Sequence, residues 1–212
     1  MKELLLIMVI LLQGCASVWE FAPSQDDYLD VRNDASHVFC EDGEVRDLVT
    51  GDATRFSCIS GPSLVQLDDG KSLSQHKDDM DSIGESVCPG DEVRRYSSIN
   101  GRFLIDCASA GRKLVQLLPL RSLSGQLDYI EDLKTICPDT FRLRSVSYPR
   151  ASRRVAEFTC GGGEFRLVNA GSEEVQSLDA AVCGLEGFQS LNYNLNNAEY
   201  VCKSGETGVV GI

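Results

Sequence analysis

Residues 123–167 read LSGQLDYIEDLKTICPDTFRLRSVSYPRASRRVAEFTCGGGEFRL. The stretch opens with an apolar ladder, Leu123, Leu127, Ile130, Leu133 and Ile136, in steps of three or four residues. That is the period of an amphipathic helix. Cys137-Pro138 ends it, because proline lacks a backbone donor and pushes the residue before it out of the α region. The spacing therefore predicts a helix that stops at Cys137. Three short strand-like runs follow, with Phe158 and Cys160 on one face of the middle run and Gly161–Gly163 as the turn after it.

The same order recurs three more times. Tyr28, Val31, Ala35 and Val38 form a helical stripe closed by Cys40, with Ser24 as the expected N-cap. Leu73, His76, Met80, Ile83 and Val87 form another, closed by Cys88-Pro89. Val175, Leu178 and Val182 form the last, capped by Ser172 and closed by Cys183-Gly184. Alternating strands end in Cys58, Cys107 and Cys202, and third strands are expected at Leu64–Leu67, Leu114–Leu117, Phe165–Val168 and Val209–Ile212. Asn100-Gly101 is a hairpin signal. The helix-end cysteines lie 48, 49 and 46 residues apart, a period that indicates a modular array. The fold expected is α+β: four tandem disulfide-stapled repeats at 24–70, 71–120, 121–170 and 171–212. Each is one helix plus a three-stranded antiparallel meander, either strung out or closed into one body.

A unit of this size is near the lower limit for a self-sufficient core. A cross-link within each copy compensates: Cys40–Cys58, Cys88–Cys107, Cys137–Cys160 and Cys183–Cys202. The rival scheme staples neighbours, as in Cys58–Cys88. Nine cysteines, no Cys-x-x-Cys and only two histidines, His37 and His76, favour disulfides in an oxidising compartment over zinc.

The ninth cysteine stands apart. Lys2 is followed by nine apolar residues, Leu4 to Leu12, and then by Gln13-Gly14-Cys15. This resembles the signal sequence and lipobox of bacterial lipoproteins. The resemblance covers about fifteen residues, and Gln13 departs from the usual small residue. It implies a signal peptide at 1–14, cleavage after Gly14, a lipid such as palmitate on Cys15, and a tether over 15–23. With Ala16 rather than aspartate after the cysteine, it implies the outer membrane, facing the periplasm. Trp19 and Phe21 would rest at the headgroups or pack on the first module.

The net charge of -12 argues against a nucleic-acid binder working through general phosphate attraction. No Gly-x-Ser-x-Gly elbow is present, and the acidic runs Asp68-Asp69 and Asp78-Asp79-Met80-Asp81 lack the spacing of a calcium loop. No catalytic residue, metal or cofactor is expected, and His76 reads as a boundary histidine. Basic residues concentrate between Cys88 and Cys160. Arg142, Arg144, Tyr148, Arg150, Arg153 and Arg154, on a long hairpin with Tyr148 at its tip, form the expected partner-binding surface. The function expected is a lipid-anchored, non-enzymatic periplasmic adaptor or assembly component of an envelope complex, with a protein partner and homo-oligomers possible. Alternatives are a periplasmic inhibitor or ligand-binding module and, third, a cell-wall hydrolase.

Overall fold

Helix, strand, strand, strand is the order of elements throughout: α1 (Gln25–Phe39) precedes β1 (Val45–Val49), β2 (Ala53–Cys58) and β3 (Leu64–Asp68); α2 (Leu73–Val87) precedes β4 (Val93–Ile99), β5 (Arg102–Cys107) and β6 (Gly111–Gln116). Then come α3 (Leu123–Lys134), β7 (Arg142–Arg150), β8 (Arg153–Cys160) and β9 (Gly163–Val168), and finally α4 (Ser172–Val182), β10 (Phe188–Tyr193), β11 (Asn197–Cys202) and β12 (Thr207–Gly211). This computed structural model describes residues 25–212 except residue 69. The expected signal segment, Cys15, the tether with Trp19 and Phe21, and the cap Ser24 lie outside the described residues. Among the described residues no helix is long and apolar enough to cross a membrane.

The twelve strands form one sheet in chain order. Pairing is antiparallel within β1–β3, β4–β6, β7–β9 and β10–β12. It is parallel where β3 meets β4, β6 meets β7 and β9 meets β10. Each parallel join needs a crossover, and α2, α3 and α4 supply it. The joins all run the same way along the sheet, so a common crossover hand puts the helices on one face. The strands thus lie side by side in one open sheet; β1 and β12, its edges, do not pair with each other.

Register shows how one face becomes the core. One row of partners runs Leu67, Ser98, Phe103, Val115, Val146, Ala156, Leu167, Tyr193 and Ala198. All but Tyr193 are buried. From the helices, Ala35, Met80, Ile83, Ile130, Leu133 and Val175 pack into the same cluster. In three first strands an additional residue is accommodated as a bulge: Arg94, Arg144 and Gln189 each lie between paired residues whose partners are consecutive.

The cysteines sit where helix ends meet this face. Four disulfides join Cys40–Cys58, Cys88–Cys107, Cys137–Cys160 and Cys183–Cys202, with Cα–Cα distances of 5.3, 5.7, 5.9 and 5.5 Å. The expected pairing of each helix-end cysteine with the following strand cysteine is therefore the one formed, and Cys58–Cys88 is not.

Local details refine the sequence expectations. Ser72 and Gln75 form a capping box at α2, and Ser122 caps α3 by accepting from the Gly125 N–H. Helix α3 ends at Lys134 rather than at Cys137. Ile136 and Cys137 donate to the carbonyls of Leu133 and Lys134, so the chain tightens to i→i+3 bonding over the last turn. Ser172 is not the cap of α4. Gly171 holds that position, and the Ser172 backbone and hydroxyl both donate to Asp132 of α3. Asn100 and Gly101 take φ values of 50° and 69°, as the expected tight hairpin requires.

Converting both Cys88 and Cys107 to alanine should lower stability by about 3 kcal/mol, the chain-entropy estimate for a loop of this length. Urea unfolding of the double variant measures it. A loss under about 1 kcal/mol would mean that the bridge does not staple the fold.

Candidate binding face

Alternation in a strand sends every second side chain away from the helices. The row next to the core row runs Arg55, Gln66, Ser97, Leu104, Leu114, Ser145, Glu157, Arg166, Asn192, Glu199 and Val209, without interruption from β2 to β12. Among the described residues no element covers this face. Its partly exposed leucines, Leu64, Leu104 and Leu114, are interspersed with polar side chains.

Arginine dominates the face. Arg46 lies on β1, Arg55 on β2, Arg95 with the bulged Arg94 on β4, Arg102 on β5 and Arg112 on β6. Arg142 and the bulged Arg144 lie on β7, Arg153 on β8 and Arg166 on β9. These are ten of the 14 arginines of the chain; all are exposed except Arg153, which is half-buried. Their acidic neighbours are fewer: Asp47, Asp106, Glu157, Glu164 and Glu199. Two ion pairs form, Arg112–Asp106 at 3.9 Å and Arg166–Glu157 at 3.6 Å. Arg55, Arg94, Arg95, Arg102, Arg144 and Arg153 make none among the described residues.

The helices are the reverse. Their sequences carry 14 carboxylates against Arg32, Lys77 and Lys134. The net charge of -12 is thus segregated into an acidic helix layer and a basic sheet face. Arginine on the basic side offers a fixed fork of donors that matches carboxylates in a bidentate way, which lysine does not.

At the β7–β12 end the face dips into a cleft of about 630 Å³. Its lining includes Glu157, Arg166, Asn192 and Glu199, together with Arg144, Thr207 and Val209. Arg166 also donates to Asn194 at 3.0 Å, and Asn192 donates to Glu199 at 3.4 Å. Asn192 Oδ1 is buried with no hydrogen-bond partner among the described residues.

The six expected partner-binding residues divide. Arg142, Arg144 and Arg153 belong to the open face, and Arg150 is exposed at the hairpin end. Tyr148 is not at the tip: strand β7 runs on to Arg150, which pairs with Arg153, and alternation carries Tyr148 to the helix side, where it is buried. Arg154 shares that side. Its guanidinium lies 4.3 Å from the Tyr129 ring and 5.1 Å from the Tyr148 ring, and its Nε donates to the Tyr148 hydroxyl at 2.8 Å. Arg121 stacks on Tyr148 from 5.3 Å. Burial pushes the Tyr129 phenol up, against the opposing charge of Arg154, and keeps it a neutral donor to the Ala170 carbonyl. Tyr148 and Arg154 therefore form an internal cation–π stack. His76 is not at the boundary but fully buried: Nε2 lies 3.1 Å from the Asp68 carbonyl, and Nδ1 has no hydrogen-bond partner among the described residues. Among the described residues no group of three or more His, Cys, Asp or Glu is placed to hold a metal ion.

The arginines of β1, β2, β4, β5, β6 and β9 escaped the sequence reading, which followed charge along the chain instead of across faces. A signal existed: Arg55, Arg95, Arg102 and Arg166 each adjoin a buried aromatic, Phe56, Tyr96, Phe103 and Phe165, and so must point the other way. Comparison with known proteins supplies no analogue for this face: no family model matches the chain, and no curated protein or solved structure matches it.

The two arginine environments should separate on mutation. Arg154→Ala should cost about 1–3 kcal/mol by emptying the tyrosine stack. Arg102→Glu should change stability by less than about 0.5 kcal/mol. Thermal and urea unfolding of both variants check this; equal losses would contradict the division.

Proposed function

We propose that this protein is a non-enzymatic adaptor, held at the periplasmic face of the outer membrane by a lipid on Cys15, that recruits an envelope protein through its open sheet face. The single observation that carries the reading is the charge segregation: a face that the core does not use is furnished with arginine, the charged residue enriched at protein interfaces, and with no lysine. The anchor rests on the Leu4–Cys15 pattern.

We further propose that the body arose from four copies of one helix-plus-meander unit at 24–70, 71–120, 121–170 and 171–212. Supporting this are the regular cysteine spacing, four disulfides in equivalent places, and bulges at equivalent positions after Val93, Leu143 and Phe188. Tandem copies paired edge to edge multiply one weak contact surface, which suits an adaptor. The β7–β12 cleft favours a second reading, a ligand-binding or inhibitor module. Its mixed charges and the unpartnered Asn192 Oδ1 would suit a small zwitterionic ligand.

The test has two readouts. Labelled palmitate should enter the wild-type chain and not Cys15→Ala, which should leave the membrane fraction. Crosslinking in native membranes should recover an envelope protein that is lost with Arg144→Glu/Arg153→Glu. Unlabelled wild-type chain would refute the anchor. Recovery of the same protein by the double variant would refute the proposed use of the open face.

A further inference from the structure

We infer that the open face holds an extended, flexible acidic polypeptide segment, wound across the strands from β2 to β9. The inference rests on the adaptor reading above and deepens it by stating the partner's chemistry and shape.

Charge complementarity supplies the first half. Arg55, Arg94, Arg95, Arg102, Arg144 and Arg153 have no ion-pair partner among the described residues, and they are spread over successive strands instead of clustered at one spot. Carboxylates and phosphates are the anionic groups that arginine forks grip in pairs.

Geometry supplies the second half. Neighbouring strands twist by about 20° relative to one another. From β2 to β9 there are seven steps, so the arginines turn through roughly 140° as they cross the sheet. A planar bilayer can touch only part of such a ramp at once, and a flat rigid protein surface is no better placed. A flexible chain can follow it. Seven strand spacings of about 4.8 Å span about 34 Å, which some ten extended residues cover.

The choice between a polypeptide and a phosphate polymer falls to the groups between the arginines. Leu64, Leu104 and Leu114 are half-buried on the same face, and Gln66, Ser97, Gln116 and Ser145 alternate with them. Apolar contacts and amide-type hydrogen bonds are what a peptide offers and a phosphate chain lacks. Arginine stems lying over leucine add apolar surface for peptide side chains to cover.

The test uses the full chain in non-ionic detergent with its disulfides intact. The probes are glutamate-rich peptides of five and fifteen residues with leucine at every third position, inorganic polyphosphate, and vesicles of anionic phospholipid. The fifteen-residue peptide should bind at least ten-fold more tightly than the five-residue one, and more tightly than polyphosphate or vesicles. Its binding should weaken about ten-fold between 50 and 200 mM salt. Arg95→Glu/Arg102→Glu/Arg112→Glu should weaken it at least ten-fold, while Lys77→Glu/Lys134→Glu on the helix layer should leave it unchanged. Should the triple glutamate variant fail to form its four disulfides, the Arg→Lys triple variant, which keeps the charge, should still lose about three-fold. Equal binding by wild type and the lysine and glutamate variants would overturn the proposal. So would no dependence on peptide length, tighter capture of vesicles or polyphosphate, or salt-sensitive self-association removed by the same substitutions. No anchor and no envelope partner enters this assay. Its failure therefore leaves the adaptor reading standing, and lost co-purification with peptide binding intact would refute only that reading.

Discussion

One face of twelve consecutive strands has to stay in phase, and the rest of the molecule follows from that requirement. A slip of one residue in any strand would exchange its buried and exposed sides. The core row from Leu67 to Ala198 nevertheless passes through three parallel joins without a break. The bulges reconcile this with the first strands. Val93 and Tyr96 both face the helices, as do Leu143 and Val146, and Phe188 and Leu191. Those pairs are three residues apart, where simple alternation allows two or four. The additional residue is pushed aside as Arg94, Arg144 or Gln189.

The disulfides belong to the same logic. Each helix presents only one narrow stripe to the sheet, and contacts between neighbouring helices are few; α3 and α4 meet through the hydrogen bonds of Ser172 to Asp132. Tying the end of each helix to the second strand on the buried side replaces missing apolar contact with a covalent constraint on the unfolded chain. Every described cysteine is therefore used for structure. The joins also demand close backbone approach. A Cβ at Gly163 would lie 1.5 Å from the Gln189 carbonyl oxygen, so only glycine can start β9 where β10 runs alongside.

Much of this was legible in the residues themselves. Helical stripes such as His76, Met80, Ile83 and Val87 were plain because period and burial agree. The disulfide partners were plain because spacing recurs. What could not be read was the relation between elements distant in the chain. Nothing local in Ser172 says that Asp132, forty residues earlier, will claim its hydroxyl. Tyr148 beside Pro149 resembles a turn, yet a second bulge lets β7 continue to Arg150, and pairing decides which side the tyrosine takes. The candidate face was hidden for the same reason: its arginines are scattered along the sequence and adjacent only once the strands are laid in order.

The arginine content of that face is not explained by folding. A sheet that is antiparallel at all but three of its joins can leave one side in water with any mixture of polar residues, and serine, threonine or alternating charges would serve. Placing Arg94, Arg95, Arg102 and Arg112 on three consecutive strands puts like charges near one another, which works against the compact state. The acidic helices cannot relieve it, because the sheet stands between the two layers and the field of exposed charges is screened over about 10 Å of salt solution. A residue choice that folding does not require, and that electrostatics mildly opposes, is what a surface selected for contact with something anionic would show. The tyrosine stack around Arg154 makes the contrast within one hairpin: there a half-buried arginine packs against two rings and is held by a hydroxyl, whereas Arg144, ten residues earlier, makes no ion pair among the described residues and stands in the open.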